Sequence, residues 1–207
     1  MAKIRGGIGA FLSGKLEGLV FFQRGEEGFL RTEPDYSKKK WSPAQQKHRE
    51  RFQKVSAFCM HFKHNIIRPI WNLIPEKATG YGRFLQANMS AFDSNGDVAD
   101  LSKLHFSDGR LPLPYNMVVE IVAGSPLVLK VNWENDTTIP GYDANDILMV
   151  MFASAGKFTG PVNSGVKRGV LEASVEVPST PGAPDAVYLF FGAQDLKDYS
   201  PDQYFAV

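Results

Sequence analysis

From residue 117 to the C-terminus, short β-favouring runs alternate with turn-forming clusters. The runs are Met117–Ala123, Leu127–Trp133, Ile147–Ala153, Gly169–Val177, Ala186–Phe191 and Gln203–Val207. Between them stand Gly124-Ser125-Pro126, Asn135-Asp136, Pro140-Gly141, Gly160-Pro161, Pro178 and Pro181-Gly182. Strands this short bury apolar surface only by pairing and stacking, so the segment predicts an all-β sandwich or barrel. Leu171, Ala173, Val175 and Val177 alternate with Glu172, Ser174 and Glu176, which predicts one wet face and one buried face. A further short strand around Phe158 brings the count to about seven, the number of an immunoglobulin- or fibronectin-III-like sandwich. Trp133, at the end of the second run, is expected in its core.

The N-terminal half has a different texture. Leu16, Gly18–Phe22 and Phe29–Arg31 flank the turn residues Arg24–Gly28, so residues 16–33 predict a β-hairpin. An isolated hairpin is marginal in water, so this one must pack on something or pair with another chain. Ser42 followed by Pro43, with Gln45 three places on, is a helix start with a capping box. Phe52, Val55, Cys59, Phe62 and Ile66 then fall along one helical face, and Pro69 is expected to end or kink the helix at Arg68. A second helix is expected from Thr79 to Phe92. The fold class is therefore α+β, with a hairpin and two helices over residues 1–110 and the sandwich over 111–207. On that division, Met117–Val207 is expected to fold alone.

Hydrophobic residues at 43% and charged residues at 22% exclude disorder, collagen and coiled coil as the main class. A single cysteine excludes a disulfide framework within the chain. Ile8–Leu12 is too short for a signal segment, and no apolar run approaches the length of a membrane span. A cytoplasmic protein with no membrane span is expected. The overall charge of +1 conceals +8 over residues 1–70 and −7 over 71–207. Such asymmetry suits a basic element that meets an acidic partner, or two parts of one chain that attract each other.

Motifs for catalysis or metal binding fail on spacing. Gly9 to Lys15 matches the start of a phosphate-binding loop, but Leu16 stands where Ser or Thr must hold Mg²⁺, and a strand pattern follows instead of a helix. Cys59 and His61 are two residues apart on a helix and point nearly opposite ways, and His61 with His64 supplies only two ligands. Asp93–Asp97 is faintly like a calcium loop, but Val98 and Leu104 occupy the positions that need Gly and Glu. His105, with apolar neighbours, is expected to be partly buried. No catalytic residue, metal or cofactor is assigned, and a non-enzymatic protein is expected.

Two segments suggest binding. Lys38, Lys39, Lys40, Lys47, Arg49, Arg51 and Lys54 stand against Glu50 alone, a net +6 over residues 38–54. Lys47, Arg51 and Lys54 are spaced to form one helical stripe, a surface that a nucleic acid or other polyanion would meet favourably. The competing reading is that their stems cover the edge of the apolar face. Phe21 and Phe22 are adjacent in a strand, so each face of the hairpin carries a large aromatic. One face can pack on the chain's own helices. The other needs cover from the sandwich of the same chain or from a protein partner or second copy, and an interface with a second copy is the expectation preferred.

Residues Met1–Ile4, Gly7-Ile8, Ser13–Val20, Arg31–Pro34 and Ser42–Gln46 with Arg49 and Phe52 resemble an uncharacterised bacterial family of the Bacteroidetes type. So do Asp100–Leu104, Gly109–Pro112, Val131–Trp133 and Val187–Phe191. The resemblance spans nearly the whole chain. It implies an N-terminal hairpin and helices followed by a sandwich, and it brings no activity and no catalytic residues. A structural or interaction protein, acting as a binding or assembly module, is the expected function. Polyanion binding through residues 38–54 is the alternative.

Overall fold

In the computed structural model, residues 2–4, 13–24, 27–35, 41–74, 78–124, 126–180 and 182–207 are described, 2–4 by backbone alone. The chain is α+β, and its described strands form three antiparallel sheets. It divides into two compact units, Met1–Ala44 and Gln45–Val207.

The first unit is a four-stranded sheet of β1 (Ala2–Ile4), β2 (Gly14–Leu16), β3 (Leu19–Arg24) and β4 (Glu27–Thr32), in the order β1-β4-β3-β2. The expected hairpin is β3–β4. Of its expected turn, Gly25 and Glu26 lie outside the described residues. A second hairpin, β2–β3, turns at Glu17 and Gly18, both at positive φ (45° and 78°). That pair of left-handed residues matches the twist of a two-residue hairpin, and glycine adopts it without a Cβ penalty. Gly14 and Lys15, from the phosphate-loop-like run, sit on this edge strand. Lys15 pairs with Glu33.

The second unit begins within the first turn of α1 (Pro43–His61), a helix that starts where Ser42-Pro43 predicts. Pro69 does not end the helical path. The chain widens instead into a π-helix, Lys63–Trp71, with Pro69 inside it, where the Ile67 N–H donates to the Phe62 carbonyl five residues back. Proline lacks an N–H and crowds the carbonyl four residues before it, and a wider turn accommodates both. Next come α2 (Gly80–Asn88), capped by the Thr79 hydroxyl accepting from the Gly82 N–H, and a short 3₁₀ turn, Met89–Ala91.

Strands β5 (Tyr115–Val122), β6 (Val128–Glu134), β7 (Ile147–Ser154), β8 (Lys157–Phe158), β9 (Val162–Lys167), β10 (Glu172–Glu176), β11 (Ala186–Gly192) and β12 (Gln203–Ala206) follow. They form a three-stranded sheet, β10-β6-β5, and a five-stranded sheet in which β12, β11 and β7 run side by side and β8 and β9 share the far edge of β7. One core lies between the two sheets: Leu129, Val131, Trp133 and Val175 pack with Leu148, Val150, Phe152, Val187, Leu189 and Phe191. A second core lies on the opposite face of the five-stranded sheet. There Met149, Met151, Ala153, Ala186, Tyr188 and Phe190 meet Val55, Cys59, Phe62, Ile66, Phe84 and Phe106. Burial on both faces is why Ile147–Ser154 and Ala186–Gly192 read as nearly continuous apolar runs while β6 and β10 alternate. The boundary expected near residue 110 passes through this second core, whose members come from both sides of it. Phe52, expected on the buried face of α1, is 45% exposed.

Candidate interaction site

The register of the N-terminal sheet separates its two faces. Phe22 lies opposite Phe29 and Val20 opposite Arg31, whereas Phe21 lies opposite Leu30 and Leu16 opposite Leu19. On the first face the Phe22 and Phe29 rings stack with centroids 5.5 Å apart, and the Arg31 guanidinium sits 5.7 Å from the Phe22 centroid. A cation over an aromatic face covers it and keeps it compatible with water. The second face joins Leu16, Leu19, Phe21 and Leu30. Leu16, on edge strand β2, is 61% exposed. Leu19, Phe21, Phe22, Phe29 and Leu30 are all only partly buried. The expectation that Phe21 and Phe22 point to opposite faces therefore holds, and among the described residues the cationic cover, from Arg31, lies on the Phe22 face.

The basic residues are distributed differently. Lys38, Lys39 and Lys40 lie outside the described residues. Lys47 is exposed on α1. Arg51 is turned into its own fold, donating through one terminal nitrogen to the carbonyls of Met89 (3.2 Å) and Phe92 (3.1 Å) at the end of the 3₁₀ turn. A cation is favoured there, where carbonyls lack helical partners. Lys54 pairs with Asp97 at 3.0 Å. Asp97 belongs to a turn closed by the Asp93 carboxylate, which accepts from the N–H groups of Asn95 and Asp97. The Asp97 N–H, more than any other contact, holds the Asp93 carboxyl below its ordinary range. Gly96 fits tightly beneath α1: a Cβ there would come within 3.0 Å of the Arg51 carbonyl oxygen. Arg51 and Lys54 thus fasten α1 to the segment after α2.

Other titratable groups also serve the fold. Cys59 is fully buried, and burial pushes its thiol up to about 12, so it is inert as a nucleophile. His61 and His64 are exposed, with His64 Nδ1 3.2 Å from the Arg68 guanidinium. Among the described residues, no three His, Cys, Asp or Glu side chains gather as a metal site.

Sequence reasoning missed two polar centres. Asn88, fully buried, donates to the Phe84 and His105 carbonyls and accepts from the His105 N–H. Beside it His105 Nδ1 lies 3.3 Å from Asp202, whose second oxygen accepts from the Phe106 N–H. The second centre is Arg168 with Asp146, where Arg168 Nη1 lies 3.5 Å from Asp146 Oδ2 and both side chains are nearly inaccessible. Neither residue falls in a motif, because the partners stand far apart in sequence and meet only in the folded chain.

His105 makes stability depend on pH. The hydrogen bond to Asp202, the leading cause, raises its pKa above the ordinary 6.5. The folded state therefore holds this proton more tightly than the unfolded chain. The resulting increment is fully present below pH 6.5 and is lost as pH rises through the raised value. The imidazole is half-exposed, so screening limits the increment to below about 1 kcal/mol. Urea midpoints measured between about pH 6 and pH 9 are expected to fall more for the wild type than for His105→Gln. Parallel profiles would remove His105 as the source.

No helix among the described residues is long and apolar enough to cross a membrane. No protein-family model matches the sequence, and no curated protein is found to match it.

Proposed function

We propose that this protein is a non-enzymatic assembly module whose N-terminal sheet is the contact element and whose second unit is a scaffold. The observation that carries this reading is the face of Leu16, Leu19, Phe21 and Leu30. It is apolar and partly buried, carries no cation–π contact among the described residues, and is continuous with the exposed edge strand β2. Contiguous apolar surface beside an open strand edge is what a partner chain uses for association. A second copy is the partner proposed, since a sheet edge and its flanking face can be self-complementary about a two-fold axis.

For the scaffold we infer an immunoglobulin- or fibronectin-III-like sandwich. Support comes from the strand connectivity. With β5, β6, β7, β10, β11 and β12 taken as A, B, C, E, F and G, the two sheets become A-B-E and C-F-G with β8 and β9 added beside C. The same plan is implied by the bacterial family that the sequence resembles. Sandwiches of this kind host many functions, so the contact face and not the fold carries the functional reading. Polyanion binding is the weaker reading, since Arg51 and Lys54 are engaged within the chain.

Light scattering on the purified protein at tens of micromolar is expected to give a dimer. Phe21→Asp should convert it to a monomer with the circular dichroism spectrum kept. Phe22→Asp, on the face covered by Arg31, should leave it a dimer. A monomeric wild type overturns the self-association reading.

A further inference from the structure

Where the end of α1 passes the β7–β8 hairpin, the second unit carries an open cleft of about 530 Å³. Its floor is aromatic. Phe58, Phe62 and Phe158 contact one another edge to face, with centroids 5.0 to 5.8 Å apart. Phe62 is fully buried and also packs on Phe106, at 5.2 Å, so the floor is anchored in the core. A preformed floor spares a ligand the entropy of ordering its site. The rim is polar and cationic: His61 from α1, Lys157 from β8 and Thr180 from the β10–β11 connection. Neither Lys157 nor His61 makes an ion pair among the described residues. The carboxylate at this hairpin, Asp185, is engaged by the Ala155 N–H at 2.6 Å.

An aromatic floor of this size beneath a cationic rim is complementary to a molecule with an apolar body and one anionic end. The volume lies within the range of about 300–1,000 Å³ usual for small-ligand sites, in which a few polar groups fix orientation in a largely apolar pocket. We propose that this cleft binds small amphipathic carboxylates, of the arylalkanoate or medium-chain fatty acid class. The apolar body lies on Phe58, Phe62 and Phe158, and the carboxylate is held by Lys157. Charge complementarity favours the acid over a neutral molecule of the same shape, because the Lys157 ammonium gains a charge-assisted hydrogen bond that an alcohol cannot match.

The test is an amide NMR titration of the full chain with phenylbutyrate and with decanoate. Saturable shifts are expected at His61, Lys157, Phe158 and Thr180. The matching alcohols, phenylbutanol and decanol, should bind about tenfold more weakly, the factor expected for loss of one charge-assisted contact. Lys157→Ala should erase that preference while leaving alcohol binding in place, and Thr180→Trp should fill the cleft and block both ligands. Absence of saturable shifts at millimolar acid overturns the proposal. So does equal affinity for acid and alcohol, or binding untouched by Thr180→Trp. Shifts at these amides that follow protein concentration with no acid added would assign the cleft to a second copy, and overturn it as well.

Discussion

Residues 111–207, expressed without the helices, are expected to remain unfolded or to aggregate, whereas residues 45–207 are expected to melt cooperatively. The shorter fragment keeps both sheets and the core between them. It loses the helical layer on the other face of the five-stranded sheet, where Met149, Met151, Tyr188 and Phe190 are buried against Val55, Cys59, Phe62, Ile66, Phe84 and Phe106, and keeps there Phe158, Tyr199 and Tyr204. Returning a buried Met or Phe to water costs about 1.5–3 kcal/mol each. Met149, Met151 and Phe190 together therefore approach the whole stability of an ordinary domain, about 5–15 kcal/mol. Polar anchors go as well. The Tyr188 hydroxyl donates to the Leu101 carbonyl at 2.7 Å, the Asp202 carboxylate accepts from the Phe106 N–H, and the Ser107 hydroxyl donates to the Ser200 carbonyl. Near-ultraviolet circular dichroism with urea titration reads the outcome. A cooperative transition in 111–207 alone would mean that the helical layer is dispensable for the sandwich.

Arg168→Met is expected to destabilise the protein by about 3–5 kcal/mol, the usual cost of leaving one partner of a buried ion pair unpaired. Arg168 is 1% exposed and its guanidinium ties four parts of the chain together. It donates to the Asn135 side-chain oxygen (2.9 Å) and the Pro112 carbonyl (2.6 Å), and it faces Asp146. The Tyr142 and Phe191 ring centroids lie 5.1 and 5.4 Å from it. Its own carbonyl accepts from the Trp133 indole N–H at 2.9 Å, which sets the buried Trp133 at the end of β6. Burial, the largest influence on each partner, raises the Asp146 pKa and lowers that of Arg168. Burial thus opposes the charged form of both partners, while the guanidinium links the segments it contacts. Removing Arg168 leaves the Asp146 carboxylate without its counter-charge. The penalty should be largest at neutral pH and shrink in acid, as Asp146 in the variant takes up a proton more readily than it does unfolded. Adding Asp146→Asn to Arg168→Met should recover part of the loss. Equilibrium urea unfolding measures both variants, and a cost under about 1 kcal/mol for Arg168→Met would show the network to be replaceable by simple packing.

Much of the secondary structure is legible in the chain because it depends on neighbours in sequence. Ser42-Pro43 starts α1, the alternation after Leu171 makes β10 one-sided, and the turn clusters bracket the strands. The two faces of β3 follow from its period alone, so Phe21 and Phe22 divide as their adjacency requires. Strand β9 was not legible. Val162–Lys167 holds Asn, Ser and Gly and becomes a strand because the edge of β7 offers it hydrogen bonds. Only the tertiary structure decides that β7 and β11 are buried on both faces, since an apolar run does not say what lies on either side of it. The same holds for the cations of α1. Their spacing draws a stripe, but the carbonyls of Met89 and Phe92 and the carboxylate of Asp97, which occupy Arg51 and Lys54, come from about 40 residues away. Local spacing determines which side chains share a face. Which faces meet depends on contacts distant in sequence, and those arise only when the layers pack.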